Sequence, residues 1–279
     1  MRYFGLILFV VAAILGTTAT FADEESPYMR EVDEADKALN SENWTAAEAH
    51  LLNALRAEPA NPLNTMLLSN LGVVRHRMGN DSLALEVLNI AAEKAPKSVK
   101  VLSNRAMVLY SMKRIDEAYN DYERILEVDS TDVEALAKHG TLAIGLGKLS
   151  ETRHDAALLG RIAPDDERTY NLQAGLAIAE GNFNKATEVY GSLIEKYPSA
   201  YYYLMRSAFH LFTGHQNEAL ADINEAIRLS PNDGELYKQR ANIYIIRGRL
   251  SDAQEDARRA IDLGVSPEEI RAILRGGGK

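Results

Sequence analysis

Four acid–base pairs recur at one interval in this chain: Arg105 with Asp121, His139 with Asp155, Arg206 with Asp222, and Arg240 with Asp256, each sixteen residues apart. A histidine or arginine facing a carboxylate can hold an anion or move a proton, which is the raw material of general acid–base chemistry. The same pairs can instead lock two packed elements in register. No nucleophile recurs beside them, and the basic residue is present only in units that carry the acid. They are therefore assigned to structure, as bridges between two helices of one unit.

The remaining candidates for chemistry are weaker. The histidines at 50, 76, 139, 154, 210 and 215 form no His-Glu-x-x-His pattern, and the five-residue gap between His210 and His215 places them on different sides of a helix, so no metal site is expected. GLGKLS at 145–150 lacks the glycine spacing of a phosphate loop, and SPNDGEL at 230–236 lacks the alternating oxygen ligands of a calcium loop. Asn43-Trp44-Thr45 and Asn80-Asp81-Ser82 match the glycosylation acceptor pattern, which matters only in a eukaryotic secretory pathway. With no nucleophile, base and oxyanion set, the sequence points to a protein that is not an enzyme and carries no cofactor.

Composition narrows the class further. With 46% hydrophobic and 25% charged residues the chain has the balance of a globular protein, and its net charge of −9 argues against a nucleic-acid partner. Residues 1–22 differ: Arg2 precedes an uncharged apolar run that ends in Thr20-Phe21-Ala22, the layout of a signal peptide cleaved after Ala22. Left uncleaved, residues 3–22 are long enough to anchor the chain in a bilayer. Removing Arg2 with this segment takes the net charge from −9 to −10. The absence of cysteine excludes disulfides, thiol chemistry and a lipidated N-terminal Cys. Export to a cell envelope or periplasm is the expectation, with residues 23–27 as a short acidic linker.

Beyond the linker, three ladders share one register. The first is Ala47, Ala84, Ala118, Thr152, Ala186, Ala219 and Ala253, at intervals of 37, 34, 34, 34, 33 and 34. Twelve residues earlier lie Ala35, Gly72, Ala106, Gly140, Ala174, Ser207 and Ala241; twelve later lie Pro59, Pro96, Ser130, Pro164, Pro198, Pro231 and Val265. Apolar residues at three- and four-residue spacing flank a short polar turn in each unit, which predicts two helices. The small residues let those helices approach closely, and the proline stops the second. A single hairpin cannot bury its own apolar faces, so the units must stack.

This pattern resembles the tetratricopeptide repeat, over residues 28–264 in seven units starting at Tyr28, Thr65, Val99, Val133, Glu167, Ala200 and Gly234. The resemblance implies an all-α, right-handed solenoid of helix-turn-helix repeats. Glu31 and Glu34 suit a polar first cap. Ser266-Pro267-Glu268-Glu269 reads as the start of a capping helix with Ile270, Ile273 and Leu274 on one face, within a closing segment 265–279 whose Arg275–Lys279 end is a disordered Gly-rich tail.

In that family, partners lie in a groove lined by positions 2, 5, 6, 9, 12 and 13 of the first helices. Carried over, these positions give a polar set of Asn70, Lys100, Asn104 and Lys138, an apolar set of Tyr201, Leu204, Met205 and Phe212, and Lys238 with Asn242 in the last unit. The family's clamp for terminal carboxylates is not reproduced, because Glu134 replaces a base and no unit follows Asn242. The resemblance implies a non-catalytic scaffold or adaptor that binds a peptide, a partner helix or a second copy of the chain. The alternative is a membrane-anchored assembly factor for an envelope enzyme or secretion complex.

Overall fold

The computed structural model describes residues 26–276, with side chains to Arg271. The signal segment 1–22, residues 23–25 of the linker, the side chains of Ile273 and Leu274, and residues 277–279 of the tail lie outside the described residues. Fifteen helices make up the fold among the described residues: α1 (Pro27–Asn40), α2 (Trp44–Ala57), α3 (Asn64–Arg77), α4 (Asp81–Lys94), α5 (Val99–Ser111), α6 (Ile115–Val128), α7 (Val133–Gly145), α8 (Leu149–Ile162), α9 (Glu167–Ala179), α10 (Phe183–Lys196), α11 (Ala200–Phe212), α12 (Gln216–Leu229), α13 (Gly234–Ile246), α14 (Leu250–Asp262) and α15 (Pro267–Gly276). They pair into hairpins, first helix with second, as the three ladders predict. The first helices begin within one residue of each predicted unit start. The chain divides into two compact units, one ending at Ser130 and carrying α1–α6, the other beginning at Thr131 and carrying α7–α15.

Within each unit the same packing repeats. The second helix of a hairpin lies against its own first helix and against the first helix of the next, as α2 does on α3, α4 on α5, α8 on α9, α10 on α11 and α12 on α13. The crossing point is made by the two small-residue ladders. Ala47, Ala84, Ala118, Thr152, Ala186, Ala219 and Ala253 are all completely buried. A Cβ on Gly72 would sit 2.4 Å from Leu88 Cγ, and one on Gly140 would sit 2.7 Å from Leu172 Cδ2, so these two sites have no room for a methyl group. Where the ladders carry a hydroxyl, it is satisfied across the hairpin: Thr152 Oγ1 donates to the Gly140 carbonyl at 3.2 Å, and Ser207 Oγ to the Ala219 carbonyl at 2.7 Å.

The proline ladder ends the second helices two residues past their last turn. The residue before each proline is forced out of the helical region, as at Glu58 (φ −134°, ψ 78°) and Ala95 (φ −133°, ψ 72°). Two units lack the proline: Asp129 before Ser130 takes the same extended backbone (φ −138°, ψ 99°), and before Val265 it is Gly264 at φ 98° that ends α14. Two boundaries differ from the sequence reading. Ser26 caps α1 by accepting the Met29 N–H, so Pro27 is the first helical residue rather than linker. At the far end α15 runs through Arg275 and Gly276, which the sequence reading placed in the tail. Ile270 of α15 is buried against Ala257 and Ala260 of α14, and this contact closes the last hairpin.

All four acid–base pairs form, each between the two helices of one hairpin. Arg105 donates Nε and Nη2 to Asp121 at 2.8 and 2.5 Å, Arg206 to Asp222 at 2.8 and 2.6 Å, and Arg240 to Asp256 at 2.7 Å through both. His139 Nδ1 lies 2.6 Å from Asp155 Oδ2. The carboxylates are buried, and their bonds hold the three guanidiniums above their ordinary pKa. The third arm of the arginine reaches the preceding hairpin where an asparagine stands ready, from Arg105 Nη1 to Asn89 at 3.2 Å and from Arg240 Nη1 to Asn224 at 2.7 Å. Gly191 occupies the equivalent position facing Arg206.

Two predictions follow from this packing. Asp121→Ala strands a partly buried guanidinium and lowers the unfolding free energy by about 3 kcal/mol, whereas Arg114→Ala, which breaks an exposed pair with Glu117, leaves the urea midpoint unchanged. The hairpin turns place one residue per unit at positive φ, glycine in five units but Glu42 (φ 56°) and Lys113 (φ 62°) in two. Relief of left-handed strain makes Glu42→Gly stabilising by about 1 kcal/mol, and Gly147→Ala destabilising by a similar amount, in the same urea assay.

Candidate partner-binding face

The polar clusters do not assemble a catalytic centre. Ser111 Oγ donates to Asp81 Oδ2 at 2.6 Å, and Asp81 Oδ1 lies 2.6 Å from His76 Nδ1. In a nucleophilic triad the imidazole stands between carboxylate and hydroxyl and takes the hydroxyl proton. Here the carboxylate stands in the middle, so the serine gains no base. Ser111 and then His76 hold Asp81 below the usual carboxylate range, which makes the group an acceptor at neutral pH. Among the described residues no group of three or more His, Asp or Glu is placed to hold a metal ion. The depressions beside the Arg–Asp bridges are shallow and charged, one lined by Arg105, Glu117, Asp121 and Arg124, the other by Arg240, Asp256, Arg258 and Arg259.

In the first unit, the groove residues expected from the sequence divide by their partners. Lys100 is exposed on α5 and Asn70 is half-buried on α3. Asn104 is buried, and its Nδ2 donates to Ser69 Oγ of α3 at 2.9 Å. It therefore serves the packing of α3 against α5, not a ligand, because both polar groups are already satisfied by each other. The neighbouring Tyr110 remains exposed at the end of α5.

In the second unit an apolar stripe runs along α11. At 3.6 residues per turn, Tyr201, Met205, Ala208 and Phe212 fall within an arc of roughly 60° and span about 16 Å of helix. Tyr201 is 57% exposed and Phe212 70% exposed; Ala208 is exposed between them, and Met205 is half-buried. Phe212 leans on Phe183 at the start of α10, with ring centroids 4.5 Å apart, and Phe183 in turn stacks on Phe209. Tyr201 meets Tyr202 edge to face at 5.5 Å. Beneath them Tyr190 and Tyr202 are buried, and desolvation pushes both phenols up to about 12. The stripe thus rests on a rigid aromatic base. Ile246 is exposed at the end of α13.

Other expected groove residues are drawn inward. Leu204 packs on the cluster of Ile223, Leu236 and Ile243 that joins α11, α12 and α13, so it belongs to the core. Met205 packs partly against Tyr190 and Leu193. Lys238 is taken by its own chain, with Nζ 2.5 Å from Glu235 and 2.8 Å from Glu269 of α15; burial disfavours its charge, but the two carboxylates hold its pKa above the ordinary lysine value. Lys138 is exposed on α7 and Asn242 half-buried on α13. The structure therefore leaves Tyr201 and Phe212 accessible, and brings in Phe183, which first-helix positions alone do not select. Its signal is in the sequence: it opens the second helix of the preceding hairpin, where Asp81 likewise meets Ser111.

Sequence patterns of the tetratricopeptide repeat match residues 32–99, 99–132, 171–200 and 200–233, together more than half of the chain. The chain is 34% identical over 82 residues to the tetratricopeptide repeat and J domain-containing co-chaperone DNJ1 of Cryptococcus neoformans, covering 29% of this chain and 16% of that protein. It is 25% identical over 154 residues to tetratricopeptide repeat protein 6 of Homo sapiens, covering 55% and 30%. It thus spans less than a third of either relative. Among solved structures it is similar to a tetratricopeptide repeat protein from Parabacteroides merdae, with 27% identity, 91% and 99% of the two chains covered, and a TM-score of 0.74. The type IV pilus biogenesis factor PilW (16% identity, 77% and 100% covered, TM-score 0.63) and YrrB, a TPR protein with an unusual peptide-binding site (16%, 68% and 99%, 0.52), share the fold.

Phe212 and Leu204 differ in what lies against them: one ring for Phe212, the α11–α13 cluster for Leu204. Phe212→Asp removes an exposed ring and one ring contact and costs about 1 kcal/mol or less. Leu204→Asp puts a carboxylate against the α11–α13 core and costs more than about 2 kcal/mol. Thermal unfolding of the two variants checks the difference.

Proposed function

Because the chain belongs to the tetratricopeptide-repeat family, whose stacked hairpins leave one face of the first helices free, we propose that it is a non-catalytic scaffold or adaptor that takes a protein or peptide partner on that face. The observation that carries this reading is the exposed stripe of Tyr201 and Phe212 on α11, supported from below by Phe183, Tyr190 and Tyr202. Large exposed apolar groups on a folded surface mark interaction sites. Rigid aromatic anchors bind with little loss of side-chain entropy. Exposed Lys138, on α7 of the same unit, adds a polar contact that orients a partner without supplying most of its affinity.

The proposed setting is the cell envelope, reached by export. Arg2, the apolar run and Thr20-Phe21-Ala22 support this, and cleavage would leave Asp23 as the first residue. Among the described residues no helix is long and apolar enough to cross a membrane.

A photo-crosslinking amino acid at Ala208, in the middle of the stripe, tests the binding reading in native cells. One dominant crosslinked protein is expected, and Phe212→Asp abolishes its capture while the variant keeps its helical circular dichroism. Capture that survives Phe212→Asp refutes this face as the binding site.

A further inference from the structure

Resting on that reading, we infer that the segment bound along α11 is apolar and carries lysine or arginine at the end lying over Tyr201. The charge around the stripe is uneven. Tyr201 is the second residue of α11, and the second residues of α7, α9 and α13 are Glu134, Arg168 and Glu235. Asp132, Asp166 and Asp233 cap those three helices, accepting the N–H groups of Ala135, Arg168 and Glu235. Glu167 accepts the Tyr202 hydroxyl, and Tyr202 touches the Tyr201 ring, which sets this carboxylate beside the anchor.

Exposed Lys138 of α7 offsets one of these charges, and the other two cations of the first helices on this edge are already used. Arg168 binds Asp166 through Nε and Nη2 at 2.8 and 2.7 Å, with Glu134 and Asp132 close enough to act on the same guanidinium. Lys238 is held between Glu235 and Glu269. Each helix N-terminus contributes about half a positive charge, which does not offset the carboxylates of Asp132, Glu134, Asp166, Glu167, Asp233 and Glu235. Capping explains why the aspartates stand there; it leaves their excess charge in place.

The Phe212 end, where the second helices of this unit begin, carries both signs: Lys185 pairs with Glu188 at 3.0 Å, Arg153 with Glu180 at 2.5 Å and Arg249 with Asp252 at 2.7 Å, and Arg247 donates to the Gln216 carbonyl. An apolar stripe with one negative end and one balanced end gives a bound segment a direction. Electrostatic complementarity of this kind selects partners and speeds their encounter. An acidic or uncharged apolar segment would meet the same rings but gain nothing from the edge. A second copy of this chain, with its net charge of −9, is likewise a poor match for that edge.

Panning a random phage-displayed dodecapeptide library on the full chain, then measuring the selected peptides by fluorescence anisotropy, tests the inference. Selected peptides should join an apolar run to lysine or arginine on one side, and Phe212→Asp should abolish their binding. Combined Glu134→Gln, Glu167→Gln and Glu235→Gln should weaken it about tenfold at low salt, and raising salt from about 0.05 M to about 0.5 M should shrink that difference. Circular dichroism verifies that each variant is folded. As a second arm, Glu134→Lys with Glu235→Lys should bind the same peptides with their cations changed to glutamate.

Peptides that need Phe212 but show no preference for cations overturn the inference and leave the binding face intact. Peptides indifferent to Phe212→Asp overturn both. An absence of selected peptides, or a dimer of the chain that Phe212→Asp disperses, overturns the inference.

Discussion

The close approach of two helices at a pair of small residues is the constraint on which the rest depends. Seven times an Ala or Thr with no exposed surface meets an Ala, Gly or Ser twelve residues earlier across a hairpin. At Gly72 and Gly140 even a methyl group would collide with a leucine side chain. This contact brings the helix backbones near enough for Leu, Ile, Val and Tyr side chains on either side to bury against each other. Within each unit it also lets a second helix reach the first helix of the following hairpin. Each hairpin is stable only in contact with its neighbours.

Polar bridges fix what the small residues permit. Apolar faces at a helix crossing tolerate sliding, whereas a guanidinium that donates two parallel bonds to a buried carboxylate accepts one register. Arg105, Arg206 and Arg240 repeat this geometry closely, and Asn89 and Asn224 extend it to the preceding hairpin. The residues that first suggested acid–base chemistry are therefore committed to registry. Their carboxylates are buried, and Nε and Nη2 of each arginine are given to them.

Within each unit, stacking sets α2, α4, α8, α10 and α12 between two first helices but uses only part of each first helix, and the remaining face is where this protein can differ from others of its architecture. On α5 that face is partly spent, since Asn104 bonds to Ser69. On α13 it is spent on α15, since Lys238 bonds to Glu269. On α11 it carries aromatic rings at both ends, held by a buried tyrosine layer. There internal pairing leaves large apolar groups uncovered, which is why the binding proposed for this fold is placed on α11.

The sequence by itself determined the hairpins, their period and the intra-hairpin bridges. Those features depend on contacts between residues at a constant spacing, and a repeated unit displays constant spacing many times over. The limits of α1 and α15 were read less accurately, because helix ends depend on local caps such as Ser26 rather than on the repeat. The site was only partly legible. Equivalent positions 5 and 6 looked alike in Leu204, Asn104 and Lys238, yet the tertiary structure packed Leu204, half-buried, against the α11–α13 core, bonded Asn104 to Ser69 and gave Lys238 to α15. It also set Phe183 beneath Phe212. Whether a groove side chain is free depends on which atoms of the neighbouring hairpin reach it, and that is decided by packing between units rather than by the pattern within one.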